Sequence, residues 1–199
     1  MKRSLFVLAL AAAMLVAAPF ARATVIEFHA NLNGPSESPT NASPGTGFAV
    51  VDLDTVLNTL HVHVVFSGLT GNTTASHIHC CTAVPFVSTA GVATTTPTFA
   101  GFPLGVTSGT YDNTLDLLSL SSYNPAFVTA NGGTAASAEA VMIAGMFAGE
   151  TYLNIHTSVV PGGEIRGFLV PAAVPEPGML GLLALGLGAG LVSLRRKRA

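Results

Sequence analysis

Thr151–Phe168 reads TYLNIHTSVVPGGEIRGF, and this stretch decides the predicted fold of the chain. Apolar Leu153 and Ile155 alternate with polar neighbours, which is the period-2 pattern of a half-buried strand. Extended character returns after the Pro-Gly-Gly turn at 161–163, whose residues favour a tight reversal. The stretch therefore predicts a β-hairpin, and three chemically active side chains lie on it: His156, Glu164 and Arg166.

Short strands separated by turn residues extend on the N-terminal side of this hairpin. Helical spacing appears twice, in a stretch that opens at Asn124-Pro125 and over Thr134–Ala148. Many short strands with frequent turn signals predict a mainly β protein, an antiparallel β-sandwich or barrel with one or two short helices. The remaining predicted strands are Val25–Leu32, Phe48–Leu53, Leu60–Phe66, Thr74–Cys81 and Gly109–Leu117.

The first 23 residues have the pattern of a secretory signal peptide. Lys2 and Arg3 are followed by the apolar run Leu5–Ala18 and then by Ala21-Arg22-Ala23, so we expect signal peptidase to cut after Ala23. A membrane anchor is the alternative, but the apolar run is short for a span of about 20 residues.

The C-terminal end carries a second targeting pattern. A Pro-rich linker at 172–177 precedes the uncharged apolar stretch Gly178–Leu194, and the basic tail Arg195–Arg198 follows. As a helix, this stretch would reach about 25 Å, which is a marginal membrane span. The basic tail would stay in the cytoplasm and leave the domain outside.

This C-terminal order resembles the PEP-CTERM sorting signal of Gram-negative bacteria. The resemblance rests on Val174-Pro175-Glu176-Pro177, the apolar helix at 178–194 and the basic tail at 195–198. It implies recognition by an exosortase-type enzyme, transient anchoring in the inner membrane, removal of the tail, and delivery to the outer surface or extracellular matrix. A plain C-terminal anchor is the alternative.

Between the two targeting segments lies Thr24–Ala173, which has the size of one domain with its own core. This part of the chain holds one arginine, Arg166, against nine acidic residues, so its formal charge is −8. Such a surface repels phosphate backbones and argues against nucleic-acid binding. Cations, divalent metals and neutral glycans or matrix proteins suit it better as partners.

All six histidines lie in this domain, and four of them form two H-x-H pairs. Residues i and i+2 of a strand share a face, so each pair could present two imidazoles to copper or zinc. For His61 and His63 we expect solvent exposure, because they oppose an apolar face. For His77, His79 and His156 we expect structural hydrogen bonding first, with metal ligation as the alternative. The sequence thus gives no firm metal ligand.

Cys80 and Cys81 are adjacent and are the only two cysteines. A disulfide between them, free thiols, an intermolecular bridge and metal ligation beside His79 all stay open.

Arg166, as the sole cation, is expected to pair with a carboxylate inside the fold through two hydrogen bonds, and Glu164 is its neighbour on the same strand face. Signatures of common enzymes, such as G-x-S-x-G, H-E-x-x-H and the P-loop, do not occur in the sequence. No residue is therefore predicted to be catalytic.

The histidine motifs carry a second resemblance. Thr74–His79 together with Tyr152–Gly167 resembles the CHRD domain, and Phe28–Pro35, Glu37 and Leu60–Gly71 fit the same pattern over about 24–170. This family is similar to β-sandwich or barrel proteins, and its resemblance implies no catalytic role. The motif residues are His77, His79, Asn154, His156, Gly163, Glu164, Arg166 and Gly167.

The histidine spacing is also loosely similar to that of copper/zinc superoxide dismutase, a β-sandwich that binds metal through an H-x-H and other histidines. Two functions follow as expectations. The first is an exported, surface-sorted, non-enzymatic binding or matrix module without a cofactor. The second is a copper- or zinc-binding or metal-dependent redox protein that uses His77, His79 and His156, with Cys80 as a further ligand.

Overall fold

The computed structural model describes residues 25–172 as one curled antiparallel sheet with two short helices. The predicted signal peptide, the apolar helix at 178–194 and the basic tail lie outside the described residues. The strands are β1 (Ile26–Asn33), β2 (Thr46–Asp54), β3 (Thr59–Ser67), β4 (Thr73–His79), β5 (Gly109–Asp116), β6 (Tyr152–Thr157), β7 (Ile165–Phe168) and β8 (Val170–Pro171). The helices are α1 (Pro125–Ala130) and α2 (Ala135–Ala148).

The strand order along the sheet is β4-β6-β7-β1-β2-β3-β5, and β8 pairs with β1 beside this path. The curl gives a half-barrel, which confirms the predicted mainly β, antiparallel class. The strands β1, β2 and β3 form a regular meander, while β4 reaches the other end of the sheet and pairs with β6. Two segments that are far apart in sequence, the H-I-H strand and the hairpin, therefore become neighbours.

The core lies on one face of the sheet. Leu60, Val62 and Val64 are completely buried, whereas the alternating His61 and His63 point to the other face, as the period-2 pattern predicts. Helix α2 covers the core face with small and flexible apolar side chains, among them Ala138, Met142 and Met146. Among the described residues, no helix has the length and apolar character that a membrane crossing requires.

The hairpin is formed by β6 and β7, as the sequence predicts, with Ile155 opposite Ile165 and Leu153 opposite Gly167. Gly163 in the turn has φ 128°, which a glycine adopts without strain. A Cβ at Gly167 would collide with the backbone carbonyl of Asn31 on β1. The glycine after Arg166 thus permits the close approach of β7 to β1.

Glu164 joins the hairpin turn to two other loops and is completely buried. Its carboxylate accepts hydrogen bonds from the hydroxyls of Ser43 (2.6 Å), Thr70 (2.8 Å) and Thr157 (2.6 Å). The backbone N–H groups of Thr70 and Gly71 also donate to it. Burial alone would raise the pKa of Glu164, but these hydrogen bonds outweigh it and lower the pKa to about 2.

We expect Glu164→Gln to lower the free energy of unfolding at pH 7 by roughly 2–4 kcal/mol, because the amide cannot accept all of these bonds. A carboxylate with a depressed pKa stabilises the fold above its unfolded pKa, and this contribution disappears as the pH falls through the folded pKa. The difference between wild type and variant should therefore shrink between about pH 4.5 and pH 2.

Denaturant unfolding of the exported chain across this pH range measures the effect. Glu27→Gln is the matched control, because the Glu27 side chain is 49% exposed. A difference between wild type and Glu164→Gln that does not change with pH would contradict the role given to the buried carboxylate.

Candidate metal centre

Three histidines meet on the face of β4 and β6 that points away from the core. Directly opposite residues of an antiparallel pair share a face, and the register sets His77 opposite Asn154, His79 opposite Tyr152, and Ala75 opposite His156. Alternation within each strand then brings His77, His79 and His156 to one patch. The loops around residues 90, 97 and 161 cover this patch, so that His77 and His79 are only 6% and 8% exposed.

The three imidazoles present one nitrogen each to a common point. The ligand atoms all lie within 4.8 Å of one another. The ring centroids are 5.4 Å apart for His77 and His79, 4.8 Å for His77 and His156, and 6.0 Å for His79 and His156. A metal ion can be bound only where several ligand atoms converge on one point, and these three nitrogens do so.

The outer nitrogen of each imidazole donates a hydrogen bond to a backbone carbonyl. His77 Nε2 donates to Pro97 O (2.8 Å), His79 Nδ1 to Ala90 O (2.9 Å), and His156 Nδ1 to Pro161 O (2.9 Å). A carbonyl oxygen only accepts, so each of these nitrogens carries the proton. The tautomer of each ring is thereby fixed, and the inner nitrogen is left with a free lone pair.

These inner nitrogens are His77 Nδ1, His79 Nε2 and His156 Nε2, and all three are buried without a hydrogen-bond partner among residues 25–172. Buried polar atoms are normally hydrogen-bonded, because an unmade bond costs about 1–3 kcal/mol. Three such atoms that face one another call for a common ligand. A metal ion accepts all three lone pairs at once.

The histidines are neutral at pH 7, which metal ligation requires. Burial penalises the charged form and, together with the neighbouring histidines, lowers the pKa of His77 and His79 to about 4. Burial also lowers the pKa of His156.

Tyr152 supports the His79 ring from the side. The two rings are stacked with centroids 4.7 Å apart and an interplanar angle of 5°. The Tyr152 hydroxyl accepts from Ala90 N (3.2 Å) and donates to Ala90 O (3.3 Å), the carbonyl that also orients His79. Sequence reasoning missed this contact, because it depends on cross-strand register and on the path of an irregular loop.

Arg166 extends the stack, and its carboxylate neighbour differs from the one expected on its own strand. Its Cζ lies 4.7 Å from the centroid of the Tyr152 ring, and its guanidinium donates to the carbonyls of Ser36 and Ser88. The nearby carboxylate is that of Glu37, with Nε 3.9 Å from Oε2. The expected buried carboxylate beside Arg166 is therefore present, but it is Glu37 and not Glu164, whose carboxylate is already satisfied by hydroxyls and amides.

Glu37 is buried beside this guanidinium. Burial raises its pKa to about 7, although the charge of Arg166 acts in the opposite direction. The guanidinium therefore serves chiefly as an anchor for two loop carbonyls and as a platform for the aromatic stack. Glu37 appeared in the sequence only as part of a family pattern, and nothing in the local spacing pointed to Arg166.

Cys80 and Cys81 form a disulfide with each other, which settles the alternatives that the sequence left open. Strand alternation turns Cys80 with Ile78 into the core, away from the histidines. Both sulfurs lie against Gly145 of α2. Metal ligation by Cys80, one of the alternatives that the sequence leaves open, does not fit this arrangement.

The second H-x-H pair forms a different, exposed cluster. His61 contacts Asp52 (3.4 Å) and Asp112 (3.0 Å), and His63 contacts the other oxygen of Asp112 (3.0 Å). The His61 and His63 side chains are 36% and 37% exposed, in agreement with the expected solvent-facing position. This pair lies on β3 and takes no part in the buried histidine group.

The fold and the site thus define an antiparallel β domain with a three-histidine centre. This centre lies on the sheet face opposite the hydrophobic core and is buried under three loops. Comparison with family models places the chain: residues 28–169 match the CHRD domain, and residues 173–198 match the PEP-CTERM protein-sorting motif. The chain belongs to the CHRD domain family and carries the sorting motif of exported, exosortase-processed proteins. Searches of curated proteins and of solved structures returned no match.

We expect Arg166→Lys to lower the free energy of unfolding by about 2–4 kcal/mol, because an ammonium cannot hold both loop carbonyls and stack on Tyr152. Glu37→Gln should cost less, since the guanidinium keeps both carbonyl bonds in that variant. Denaturant unfolding at pH 7 compares the two variants. A larger loss for Glu37→Gln would show that the ion pair, and not the carbonyl anchoring, holds this region together.

Proposed function

We propose that this protein is an exported metal-binding protein whose CHRD domain holds one copper or zinc ion on His77, His79 and His156. The proposal rests on one observation, the convergence of three buried imidazole nitrogens that have no hydrogen-bond partner among the described residues. A domain with one arginine against nine acidic residues also attracts cations to its surface.

The donor set selects the class of metal. Three neutral imidazoles suit zinc, copper, nickel and iron, whereas calcium and magnesium prefer oxygen ligands. Among the divalent ions, copper binds such nitrogen sites most strongly. Zinc bonds of about 2.0–2.1 Å in a tetrahedral site place nitrogens about 3.4 Å apart, so modest ring rotations would close the present spacing. Three protein ligands leave one position for water or another ligand.

The surroundings of the histidines support a metal site over a purely structural cluster. Each ring is oriented by a backbone carbonyl, the arrangement that fixes tautomer and direction in known metal centres. A structural role would be served by the outer nitrogens alone and would leave the inner ones unsatisfied. The wider expectation of a module that binds a glycan or matrix protein stays a prediction, as does delivery to the outer surface or matrix.

The test is metal analysis of the exported chain, purified in detergent and dialysed against buffer with and without Cu²⁺ or Zn²⁺. We expect about one ion per chain and a higher unfolding temperature, since a ligand at 100 times its Kd stabilises by about 2.7 kcal/mol. His77→Ala and His156→Ala should each weaken binding by more than about 100-fold, because loss of an outer hydrogen-bond partner alone costs 10–100-fold.

The chain supplies its own matched control. His61→Ala/His63→Ala removes the other H-x-H pair, on β3, and should leave the number of metal ions bound per chain unchanged. If the folded chain binds no metal, or if the β3 variant loses as much metal as His77→Ala, the proposed centre is refuted.

A further inference from the structure

The Cys80–Cys81 disulfide begins at the residue directly after His79. A disulfide normally stabilises a fold by closing a long loop of the unfolded chain, and its effect grows with the length of that loop. A bond between neighbours closes almost no chain. Its contribution must therefore be local, to the segment that holds the two cysteines.

That segment is connected to the histidine centre through two consecutive carbonyls. Cys80 N donates to Gly91 O (3.1 Å), and His79 Nδ1 donates to Ala90 O (2.9 Å). The Tyr152 hydroxyl, whose ring stacks on His79, is bonded to the same Ala90. A shift in the backbone at Cys80 is thus passed on to the carbonyl that orients His79.

The space around the sulfurs is closed on the side of the helix. A Cβ at Gly145 of α2 would lie 2.6 Å from both sulfur atoms, so the helix fits against the bonded pair. Two separate thiols need about 3.5–4 Å between their sulfurs, against about 2.0 Å in the bond. Because α2 blocks expansion on the helix side, the sulfurs can separate only away from the helix, and the cysteine segment moves with them.

The other side of the disulfide is accessible. A cavity of about 410 Å³ is lined by Cys80 and Cys81 together with Phe127, Asn131 and Val141. A small dithiol fits this volume. Its thiolate would attack Cys81 Sγ, the S–S bond would break, and its second thiol would release the mixed disulfide, which leaves two protein thiols and one oxidised dithiol.

We propose that this disulfide is a redox switch for the metal centre: the oxidised pair keeps Ala90 and His79 in place, and reduction by a dithiol weakens metal binding. The inference rests on the proposed function. Loss of a partner that orients a ligand typically costs 10–100-fold in metal affinity, and we expect a loss in this range.

The test compares Zn²⁺ affinity in three forms of the exported chain, by competition with a chelator. The forms are the oxidised protein, the protein reduced with a phosphine that is removed before titration without oxygen, and the variant Cys80→Ser/Cys81→Ser. The serine variant has no thiols that could bind zinc themselves, so it reports on the histidines alone. Circular dichroism of each form shows whether it is folded.

We expect the reduced protein and the serine variant to be folded and to bind Zn²⁺ 10–100-fold more weakly than the oxidised protein. Phosphine treatment should not change the serine variant. Equal affinity in all folded forms would overturn the switch and leave the metal site standing, whereas no binding in any form would remove the metal site itself. Unfolding of both altered forms would also overturn the switch, since the disulfide would then be a requirement of folding.

Discussion

The backbone pairing of β4 with β6 sets the position of every side chain in the histidine centre. It brings the H-I-H strand beside the final hairpin and assigns His77 and His79 to the same face as His156. A register slip by one residue would turn His156 into the core and bring Ile155 to the site. The apolar residues on the inner face prevent such a slip, so the hydrophobic core and the candidate metal site are fixed by the same pairing.

The polar groups of the hairpin are satisfied in two contrasting ways. Glu164 stays ionised without a cation, because hydroxyls and backbone amides surround its carboxylate. Arg166 is placed by carbonyls and aromatic rings more than by its carboxylate neighbour. Both arrangements suit a domain in which one arginine cannot pair with all nine acidic residues. Oriented neutral dipoles take the place of the ion pairs found in more evenly charged proteins.

Local sequence patterns were sufficient to predict the hairpin, both helices and every strand except the short β8, because each depends on residues close together in the chain. The histidine motifs also named the three residues that the fold brings together, His77, His79 and His156. What decides between ligation and structural bonding could not be predicted. The carbonyls of Ala90, Pro97 and Pro161 lie in irregular loops, and a backbone acceptor leaves no trace in side-chain pattern.

The partner of Arg166 could not be predicted either, because it also comes from a loop that is distant in sequence. Spacing along one strand suggested Glu164, but the actual neighbour is Glu37, which comes from a loop at the other end of the chain. The same limit applies to the disulfide. The sequence showed two adjacent cysteines, and only the packing of α2 against the sulfurs shows which side of the strand they occupy.

The short strand β8 has a mechanical consequence for a protein that is sorted by its C-terminus. It is the last described element before the sorting motif, and it is held to β1 by two residue pairs and a hydrogen bond from Ala172 to Glu27. Tension on the tail would load these few bonds first and peel β8 from the sheet. The next strand inward along the chain is β7, which pairs with β6 and its His156, so the β8 pairing is what stands between such a pull and the histidine centre.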